Sequence, residues 1–461
     1  MRVLHYLMGM PPVRKGGLPQ YALSLIAQQN MQGNDVKILI PGPFTKSGIT
    51  KIVKWKVFQD IPSYRIINPL PVPNAFGIRE IPAFTRSVST IYFDNWLVEQ
   101  RIDIIHVHSI MGLPLEFLYA AKRIGIKIVM TTHDFFGLCP KIDLMKDEKV
   151  CKERDWSQCY ECCKHAYGVN KLKVYHSDLY WWYCNQSLIF KLMHSKKSDK
   201  IKDFLRNKRN ANENDKEIFG DKKESVDYSS LRNYYNNMLG CIDYFLFNSR
   251  QTEKVYRQCL DDISGEVIHV FNSHIKDCRT KKEFSDVLQL GYVGNKTVNK
   301  GYYFLMDNLQ KFYDTGKTKF KCHTFLLEND IEYPFVVNHG LYKYGKQDSI
   351  YKNIDMLIVP SVWKETFGLV VLEAISNGVP VLVSENVGAK EIINDYPGIG
   401  IVFPLSDDKF TGIIEQIYED RNILVSMNKK IIDMEYDFSM EKHAVKVEAA
   451  YNKVLNKIDG E

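Results

Sequence analysis

The chain alternates short apolar runs with segments of helical periodicity, and this alternation occurs in two separate series. The first series opens with an apolar run at 2–7, a helical pattern at 20–31 and a second apolar run at 36–40. The second series extends from 289 to 383. Runs in which consecutive residues are all apolar are typical of parallel strands, because helices cover both faces of a parallel sheet. The pattern therefore predicts an α/β fold with two sheets.

Each series has the order of a Rossmann-like domain, and two such domains facing each other across a cleft are the simplest architecture that contains both. We therefore predict an N-terminal domain over 1–278 and a C-terminal domain over 279–461, joined by a polar linker at 276–283. A helical pattern at 439–455 is expected to pack back on the N-terminal domain. Clustered cysteine, aromatic and charged residues interrupt the first series at about 139–240, which indicates an insertion.

Composition excludes several classes of protein. With 461 residues, of which 45% are apolar and 25% charged, the chain is neither fibrous nor disordered. Its net charge of +6 is too small to indicate a nucleic-acid-binding protein. No long apolar run predicts a membrane span, and the N-terminal segment has the pattern of a buried strand rather than a signal peptide. We therefore expect a cytoplasmic protein whose 10 cysteines are thiols or metal ligands.

The most informative segment is PSVWKETFGLVVLEAISNGVP, which follows an apolar strand. We expect a helix to begin at 366–368, where free backbone amides would attract an anion. Two carboxylates flank these amides, Glu365 and Glu373, and they would lie about 12 Å apart along the axis if the whole segment were helical. This spacing suits a ligand with a sugar at one end, a ribose at the other and a diphosphate between them.

The same segment resembles the Glu-x7-Glu signature of family 4 retaining glycosyltransferases, which have the GT-B fold. The neighbouring Phe-Gly, Glu-Ala and Asn-Gly-Val-Pro-Val sequences match the family pattern as well as the two glutamates do. The resemblance implies that Glu365 is a catalytic residue that contacts hydroxyl groups of the donor sugar, and that Glu373 contacts the ribose of the nucleotide. Backbone amides between them are expected to bind the donor, at Thr366, Phe367 and Gly368.

Other segments follow in the order that the family requires. LGYVGNKTVNKG, at 290–301, resembles the strand and loop that open the donor domain, where family members carry an arginine and a lysine on the diphosphate. Lys300 matches the lysine, whereas Asn295 stands in place of the arginine. The neighbouring Lys296 is a candidate to replace the missing charge, and the alternative is a solvated surface lysine.

Three further segments resemble family elements around the donor. The glycine pair in RKGGLPQYALSLIAQQ, Gly16 and Gly17, would let the backbone approach a ligand at the start of the first helix. His133 follows a strand, where ligands of open α/β sheets bind, and resembles the histidine that faces the transferred sugar. Glu391, in GAKEII, is a further candidate beside the donor. Structural glycines and a structural histidine are the alternatives.

Five of the 10 cysteines lie in the 25-residue stretch 139–163, inside the predicted insertion. Two of them are separated by two residues, as in a zinc knuckle, and two upstream cysteines could complete a structural zinc site that braces a loop without its own core. The predicted ligands are Cys139, Cys151, Cys159 and Cys162. Packed thiols are the alternative, and an iron–sulfur centre is a third interpretation.

The insertion also concentrates basic charge. Residues 164–209 contain 11 Lys and Arg against three Asp, a local excess of +8, together with the aromatic run 180–183 and Phe190. Basic and aromatic side chains together favour an anionic membrane surface, so we expect a peripheral position on the cytoplasmic face of a membrane. A solvated helical face is the alternative. No motif of a nucleic-acid-binding protein accompanies the charge.

The resemblance implies a retaining glycosyltransferase that moves a hexose from a nucleoside diphosphate sugar to a glycan or lipid-linked glycan, in the synthesis of a capsule, O-antigen or exopolysaccharide. The chain contains no Asp-x-Asp pair to hold a metal, so no cofactor is expected in catalysis. Two rivals stay open. One is another GT-B enzyme, such as a sugar-nucleotide epimerase or a synthase with a small phosphorylated acceptor. The other is a non-catalytic module that binds nucleotide sugars.

Overall fold

The computed structural model describes residues 1–14, 16–151, 156–157, 159–186, 228–325, 333–340 and 348–456. It contains two large sheets, which come from separate parts of the chain. The first takes its strands from residues up to 267, and the second from 288 onwards. This arrangement confirms the predicted α/β class with two Rossmann-like domains.

Sixteen strands occur in the described residues. In chain order, β1 to β16 are Arg2–Tyr6, Asp35–Pro41, Lys51–Phe58, Ile61–Ile67, Ile104–Val107, Lys127–Thr132, Met145–Lys146, Lys149–Val150, Tyr244–Phe247, Gly265–Val267, Leu288–Val293, Phe320–Phe325, Val336–Asn338, Met356–Val359, Val381–Ser384 and Gly400–Phe403. Sixteen helices accompany them in the same part of the chain. In chain order, α1 to α16 are Gly17–Met31, Ile81–Phe84, Ile91–Gln100, Leu115–Arg123, Cys159–Cys163, Val169–Tyr175, Asp178–Asn185, Tyr228–Gly240, Arg250–Cys259, Tyr302–Asp314, Asp348–Tyr351, Leu369–Ser376, Lys390–Asp395, Asp407–Glu419, Asn422–Asp433 and Met440–Leu455.

The first sheet has eight strands in the order β10-β9-β6-β5-β1-β2-β4-β3. Neighbouring strands are parallel except β3 and β4, which form an antiparallel hairpin at one edge. The second sheet has six parallel strands in the order β13-β12-β11-β14-β15-β16. Two central strands, β5 and β14, are buried at every residue, as their apolar runs predict.

The hairpin of β3 and β4 is not part of the predicted pattern. β3 mixes exposed lysines with half-buried apolar residues, so it lacks the apolar run of a central strand. Two residues join the strands, Gln59 and Asp60, and both have a positive φ, of 48° and 64°. A two-residue turn of this kind matches the twist of an antiparallel pair. The geometry of this turn therefore explains the hairpin at the edge of the first sheet, which the pattern of apolar residues does not predict.

Residues between β6 and β9 form one long connection, because these two strands are parallel neighbours in the sheet. The predicted insertion over 139–240 lies inside this connection. Its described part contains the short hairpin of β7 and β8, the helices α5 to α7, and α8, which packs against α2 and α4. Residues 187–227 lie outside the part of the chain that the structure describes.

The last helix packs on the first domain although it follows the second domain in the chain. α16 lies against α1 and β6. The side chain of Asn34 donates a hydrogen bond to Glu448 over 2.7 Å, and the hydroxyl of Tyr21 lies 3.0 Å from Nε2 of His443. The chain therefore crosses between the domains twice, once before β11 and again before α16.

Candidate functional site

A cleft between the two domains contains most of the predicted site residues. It is lined by the start of α1 and the residue after β6 from the first domain, and by the loops after β11 and β14 from the second. The loops lie at the carboxyl ends of parallel strands, where open α/β sheets bind ligands. The predicted residues in the cleft are Gly17, His133, Asn295, Lys300, Glu365, Thr366, Phe367, Gly368 and Glu373.

Lys300 and Glu365 form an ion pair in the cleft, with 2.6 Å between Nζ and Oε1. The second carboxylate oxygen accepts a hydrogen bond from Ser361. Burial alone would raise the pKa of Glu365, but the charge of Lys300 and these hydrogen bonds outweigh burial and hold that pKa below its usual value. Glu365 is therefore ionised at neutral pH. The Lys300 side chain is 31% exposed, so it remains accessible to an anionic ligand.

A close approach of two loops fixes the position of Lys300. The strands β11 and β14 are parallel neighbours, so the loops that follow them meet. Gly301 has a φ of 71°, and a Cβ atom at this position would collide with the carbonyl oxygen of Pro360. The carbonyl oxygen of Asn299 also accepts a hydrogen bond from the amide of Val362 over 2.9 Å. The backbone therefore holds the lysine against the loop that carries the glutamate.

The helix after β14 begins later than expected. α12 starts at Leu369 and is preceded by Gly368, which has a φ of 98°. Glu365 lies in an extended segment instead, where it forms a bridge with Val387. The spacing of about 12 Å expected for a fully helical segment therefore does not apply, because a left-handed glycine separates Glu365 from the helix. The start of α12 still lines the cleft through Gly368 and Leu369.

Glu373 is a buried residue of α12 that lines the same cleft. The hydroxyl of Tyr351 donates a hydrogen bond to its Oε2 atom over 2.8 Å. Burial raises the pKa of Glu373 to about 7, and the hydrogen bond only partly offsets this effect. The carboxyl group is therefore partly protonated at neutral pH, and it can donate to a ligand hydroxyl or accept from one.

His133 follows β6 and contacts the second domain, since its carbonyl oxygen accepts a hydrogen bond from the hydroxyl of Thr366 over 3.0 Å. Its Nε2 atom lies 3.4 Å from Nδ1 of His108. A hydrogen-bonded row continues from His108 through His5 to the amide oxygen of Gln29, over 3.1 and 2.9 Å. Burial lowers the pKa of His133 to about 3, so the ring is neutral. In a row of neutral imidazoles, the tautomer of each ring depends on its neighbour.

The histidine row is a feature that sequence reasoning missed, although the pattern HVH at the end of an apolar strand is a signal for it. Ring nitrogens of His5, His106 and His108 lie within 4.8 Å of one another, which raises the question of a metal site. The rings of His106 and His108 are stacked, however, with centroids 4.1 Å apart and planes at 25°. Stacked rings do not direct their in-plane lone pairs at one ion. Tyr451 and Thr131 also engage both nitrogens of His106, so the cluster is hydrogen-bonded rather than ligating.

Three predicted residues lie outside the cleft. Gly16 precedes α1 as its N-cap residue, with a φ of 123°. Lys296 is exposed, and its Nζ atom lies 5.7 Å from the ring centre of Tyr302. Glu391 accepts hydrogen bonds from the backbone amides of Arg250 and Gln251, over 2.9 and 3.0 Å, at the start of α9. The carboxylate of Glu391 therefore connects the two domains at a helix N-terminus rather than contributing to the cleft.

The predicted zinc ligands lie in one neighbourhood. Burial raises the pKa of Cys159, and the nearby thiols Cys139 and Cys163 add to the effect. Burial also raises the pKa of Cys139 to about 12. A tetrahedral zinc site needs sulfur atoms about 2.3 Å from the metal, hence within about 4 Å of one another. Among the described cysteines, no three sulfur atoms lie within 4.8 Å of one another, so the zinc site stays a prediction.

The basic segment 164–209 is described only as far as 186, and Phe190 lies outside the described residues. Two apolar side chains of α7 are largely exposed, Leu179 at 74% and Trp182 at 52%. None of the described helices combines the length and the apolar character that a membrane crossing requires. The membrane surface therefore remains a prediction for this segment.

Two family models match the chain. The model of glycosyl transferases group 1 matches 328–434, and the model of glycosyltransferase family 4 matches 15–184. The matches lie on either side of the predicted linker, and together they span more than half of the chain. The chain belongs to the family 4 glycosyltransferases. The family resemblance predicted from the sequence is thereby confirmed.

Curated relatives of this family 4 chain match it over part of its length. An uncharacterized glycosyltransferase of Methanocaldococcus jannaschii is 29% identical over 172 residues, which are 34% of this chain and 43% of the relative. An uncharacterized 41.2 kDa protein in the cps region of Klebsiella pneumoniae is 31% identical over 129 residues, which are 26% of this chain and 34% of the relative. The chain therefore spans less than half the length of either relative.

The solved structure of HepE from Anabaena in complex with UDP and glucose has the same fold as this family 4 chain. The two chains are 13% identical, with a TM-score of 0.54, and the match covers 99% of each. At this level of identity the likeness concerns the fold alone. It confirms the predicted GT-B arrangement of two Rossmann-like domains.

Proposed function

We propose that this protein is a retaining glycosyltransferase that transfers a hexose from a nucleoside diphosphate sugar to a glycan or lipid-linked glycan acceptor. The observation that carries the proposal is the cleft between the domains, where the ion pair of Lys300 and Glu365 lies with the buried Glu373 and the neutral His133. Membership in family 4 supports the reaction class.

In this proposal the donor binds to the wall of the cleft that the second domain forms. Lys300 and the N-terminal end of α12 supply positive charge for the diphosphate. The ionised Glu365 accepts hydrogen bonds from hydroxyl groups of the sugar, and Glu373 binds the ribose. HepE was solved with UDP and glucose, and its shared fold supports the nucleotide-sugar class of donor.

Retention in this scheme needs no nucleophile from the protein. Lys300 and Ser361 engage both oxygens of Glu365, so this carboxylate acts as a hydrogen-bond acceptor. The bond between the anomeric carbon and the diphosphate breaks, and the acceptor oxygen bonds to the same face of the sugar. The proton of the acceptor hydroxyl passes to the departing phosphate. Lys300 and the start of α12 stabilise that phosphate, so the scheme uses no metal ion.

We assign His133 to contact with the transferred sugar. Its Nε2 atom is engaged by His108, whereas its Nδ1 atom has no hydrogen-bond partner among the residues that the structure describes. A neutral ring offers a single donor or acceptor at this atom, depending on the tautomer, and either suits a sugar hydroxyl.

Polysaccharide assembly is the setting that we propose. One relative is a protein in the cps region of Klebsiella pneumoniae, which supports synthesis of a capsule or a related polysaccharide. The basic and aromatic segment 164–209 would hold the enzyme on the cytoplasmic face of a membrane, where lipid-linked acceptors are reached. A structural zinc ion on the four cysteines would brace the same insertion.

A transfer assay tests the proposal. The purified protein is incubated with UDP-, GDP-, ADP- or dTDP-hexoses, with and without membranes from a polysaccharide-producing bacterium, and release of nucleoside diphosphate is measured. We expect one donor to be consumed only when membranes supply an acceptor. Glu365→Gln should lower this rate by about 100-fold or more, whereas the exposed Glu283→Gln should leave it unchanged.

Two outcomes would contradict the proposal. Equal rates in the wild type and in Glu365→Gln would remove this residue from the reaction. Consumption of a donor without any product on the membrane fraction would favour an epimerase or a synthase with a small acceptor.

A further inference from the structure

The histidine row connects the cleft with the interior of the first domain. It consists of His133, His108 and His5, and it ends at Gln29. Of these four residues, only His133 lines the cleft, whereas the other three are fully buried. The three rings come from strands that are neighbours in the first sheet, β6, β5 and β1, and the glutamine comes from α1. A ligand in the cleft therefore meets one end of a row whose other end is a buried amide.

The amide of Gln29 determines where the inner ring carries its proton. Its oxygen lies 2.9 Å from Nε2 of His5. A carbonyl oxygen can only accept a hydrogen bond, so Nε2 of His5 is the donor. Burial lowers the pKa of His5 to about 3, so the ring is neutral and holds a single proton. The Nδ1 atom of His5 is therefore an unprotonated acceptor.

The same rule determines the protons of the next two rings. Nδ1 of His5 lies 3.1 Å from Nε2 of His108, which must donate to it. Burial lowers the pKa of His108 and of His133 as well, so each ring holds one proton. The Nδ1 atom of His108 is thus an acceptor, and it lies 3.4 Å from Nε2 of His133. The reverse direction would turn a lone pair of His5 towards the oxygen of Gln29, which leaves both buried acceptors unpaired.

His106 does not disturb this direction, although its ring stacks on His108. Its Nδ1 atom lies 2.5 Å from the hydroxyl of Tyr451, and its Nε2 atom lies 2.7 Å from the hydroxyl of Thr131. Both nitrogens are therefore engaged outside the row. The direction of the hydrogen bonds within the row depends on Gln29.

The outer end of the row is open to a ligand. The Nδ1 atom of His133 has no partner among the described residues, and it is not one of their buried unpaired polar atoms, so it is accessible. The ring of Tyr21 packs against His133, with 4.9 Å between the ring centres, and helps to hold its orientation. Because its single proton is on Nε2, the ring presents a lone pair at Nδ1.

We propose that Gln29 is a positioning residue which, through the histidine row, fixes His133 in the tautomer whose Nδ1 atom accepts a hydrogen bond from a hydroxyl of the transferred sugar. This inference rests on the proposed function, in which His133 contacts that sugar, and it specifies the group that is recognised as a hydrogen-bond donor. An unprotonated nitrogen does not attract the oxygens of the diphosphate. The same tautomer therefore favours the sugar over the phosphates at this part of the cleft.

NMR of the ring nitrogens tests the proposal without any ligand. The protein is labelled with 15N in its histidine rings, because the chemical shift of a ring nitrogen differs between the protonated and the unprotonated state. A spectrum of His133→Asn identifies the signals of residue 133 by their loss. We expect the wild type to have a protonated Nε2 and an unprotonated Nδ1 at this residue. A proton on Nδ1 in the wild type would overturn the proposal, and this result needs no folded variant.

Two variants of α1 test the role of the amide. Gln29→Met keeps the length of the side chain but offers only a weak acceptor, so the signals of His133 should shift towards a mixture of the two tautomers. Gln28→Met is the matched control, because it makes the same change at the neighbouring, half-buried position and should leave these signals unchanged. Signals of His133 that are the same in Gln29→Met and in the wild type would overturn the proposal.

Fluorinated donors test the consequence for specificity. In a deoxyfluoro analogue, a fluorine that cannot donate a hydrogen bond replaces one hydroxyl of the sugar. The analogues are made from the nucleotide hexose that the transfer assay selects, and their affinities are measured by calorimetry. At one position of the sugar, fluorine should weaken binding to the wild type about tenfold, and in Gln29→Met this loss should shrink to about twofold or less. An equal loss in both proteins at every position would contradict the proposal.

The outcomes separate this proposal from the proposed function. If no nucleotide sugar binds, the proposed function fails, whereas the ring signals still determine the direction of the row. If a sugar is transferred while His133 carries its proton on Nδ1, the proposed function stands and the role of Gln29 is overturned.

Discussion

The two glutamates of the cleft differ in charge because their neighbours differ. Glu365 has the ammonium group of Lys300 at 2.6 Å, whereas the side chain of Glu373 has, among the residues that the structure describes, only the hydroxyl of Tyr351 at 2.8 Å. Both are buried, so the pKa of Glu365 is lowered by its partners and the pKa of Glu373 is raised to about 7 by burial. The ionised Glu365 therefore only accepts hydrogen bonds, whereas the partly protonated Glu373 can donate a hydrogen bond to a ligand hydroxyl or accept one from it.

The raised pKa of Glu373 predicts stability that depends on pH. The folded state holds this proton up to about pH 7, whereas the unfolded chain releases it near 4.5. The stabilising contribution is complete below pH 4.5 and is lost as the pH rises to 7, by at most about 3 kcal/mol. The free energy of unfolding in urea, measured at pH 5 and pH 8, should therefore fall less in Glu373→Gln than in the wild type. An equal fall in both would contradict the assignment, and Glu283→Gln should behave as the wild type.

At the level of residues, the family resemblance predicted that Lys300 and Glu365 lie in one site, and the structure brings them together in the cleft. Each follows a strand at the carboxyl edge of the same sheet, which is where ligands of open α/β sheets bind, and their contact with a donor stays a prediction. The row from His133 through His108 and His5 to Gln29 joins three strands and a helix. Only the order of strands in the sheet brings these residues together, and the sequence does not state that order.

At the scale of elements, two glycines with positive φ shape the cleft. Gly301 lets the loop after β11 approach the loop after β14, and Gly368 ends the extended segment that carries Glu365. The start of α12 was predicted too early because apolar periodicity continues through Gly368 and does not report a left-handed residue. The hairpin of β3 and β4 was missed for a related reason, since its turn conformation is not visible in apolar spacing.

Two glycine-to-alanine substitutions distinguish the cost of a steric collision from the cost of backbone strain alone. Gly301→Ala should lower the free energy of unfolding by more than about 2 kcal/mol, because the added methyl group meets the carbonyl oxygen of Pro360 as well as a φ of 71°. Gly316→Ala is the control, since its φ is 88° and, apart from the adjacent residues, no described atom lies within 4 Å of the new carbon, so it should cost only about 1 kcal/mol. Urea unfolding measures both. Equal losses would contradict the close contact that positions Lys300.

At the scale of the whole molecule, contacts beside the cleft join its two walls. Thr366 donates to the carbonyl oxygen of His133, and the hydroxyl of Ser249 donates to the carbonyl oxygen of Thr366 over 2.8 Å. Glu391 and α16 connect the domains further from the cleft. Two domains could be predicted because each sheet is built from local apolar runs. The contacts between the domains could not, because they depend on single polar side chains whose partners lie far away in the sequence.

In the proposed mechanism, the cleft binds a nucleoside diphosphate sugar through Lys300. Calorimetric titration of the purified protein with the UDP-, GDP-, ADP- and dTDP-hexoses tests it most directly, with Lys300→Ala compared with Lys296→Ala in the same loop. We predict that one donor binds the wild type, that Lys300→Ala weakens it at least about tenfold by removing a charge-assisted hydrogen bond, and that the exposed Lys296→Ala leaves it nearly unchanged. Equal weakening by the two substitutions, or no binding of any donor to the wild type, would contradict this mode of donor binding.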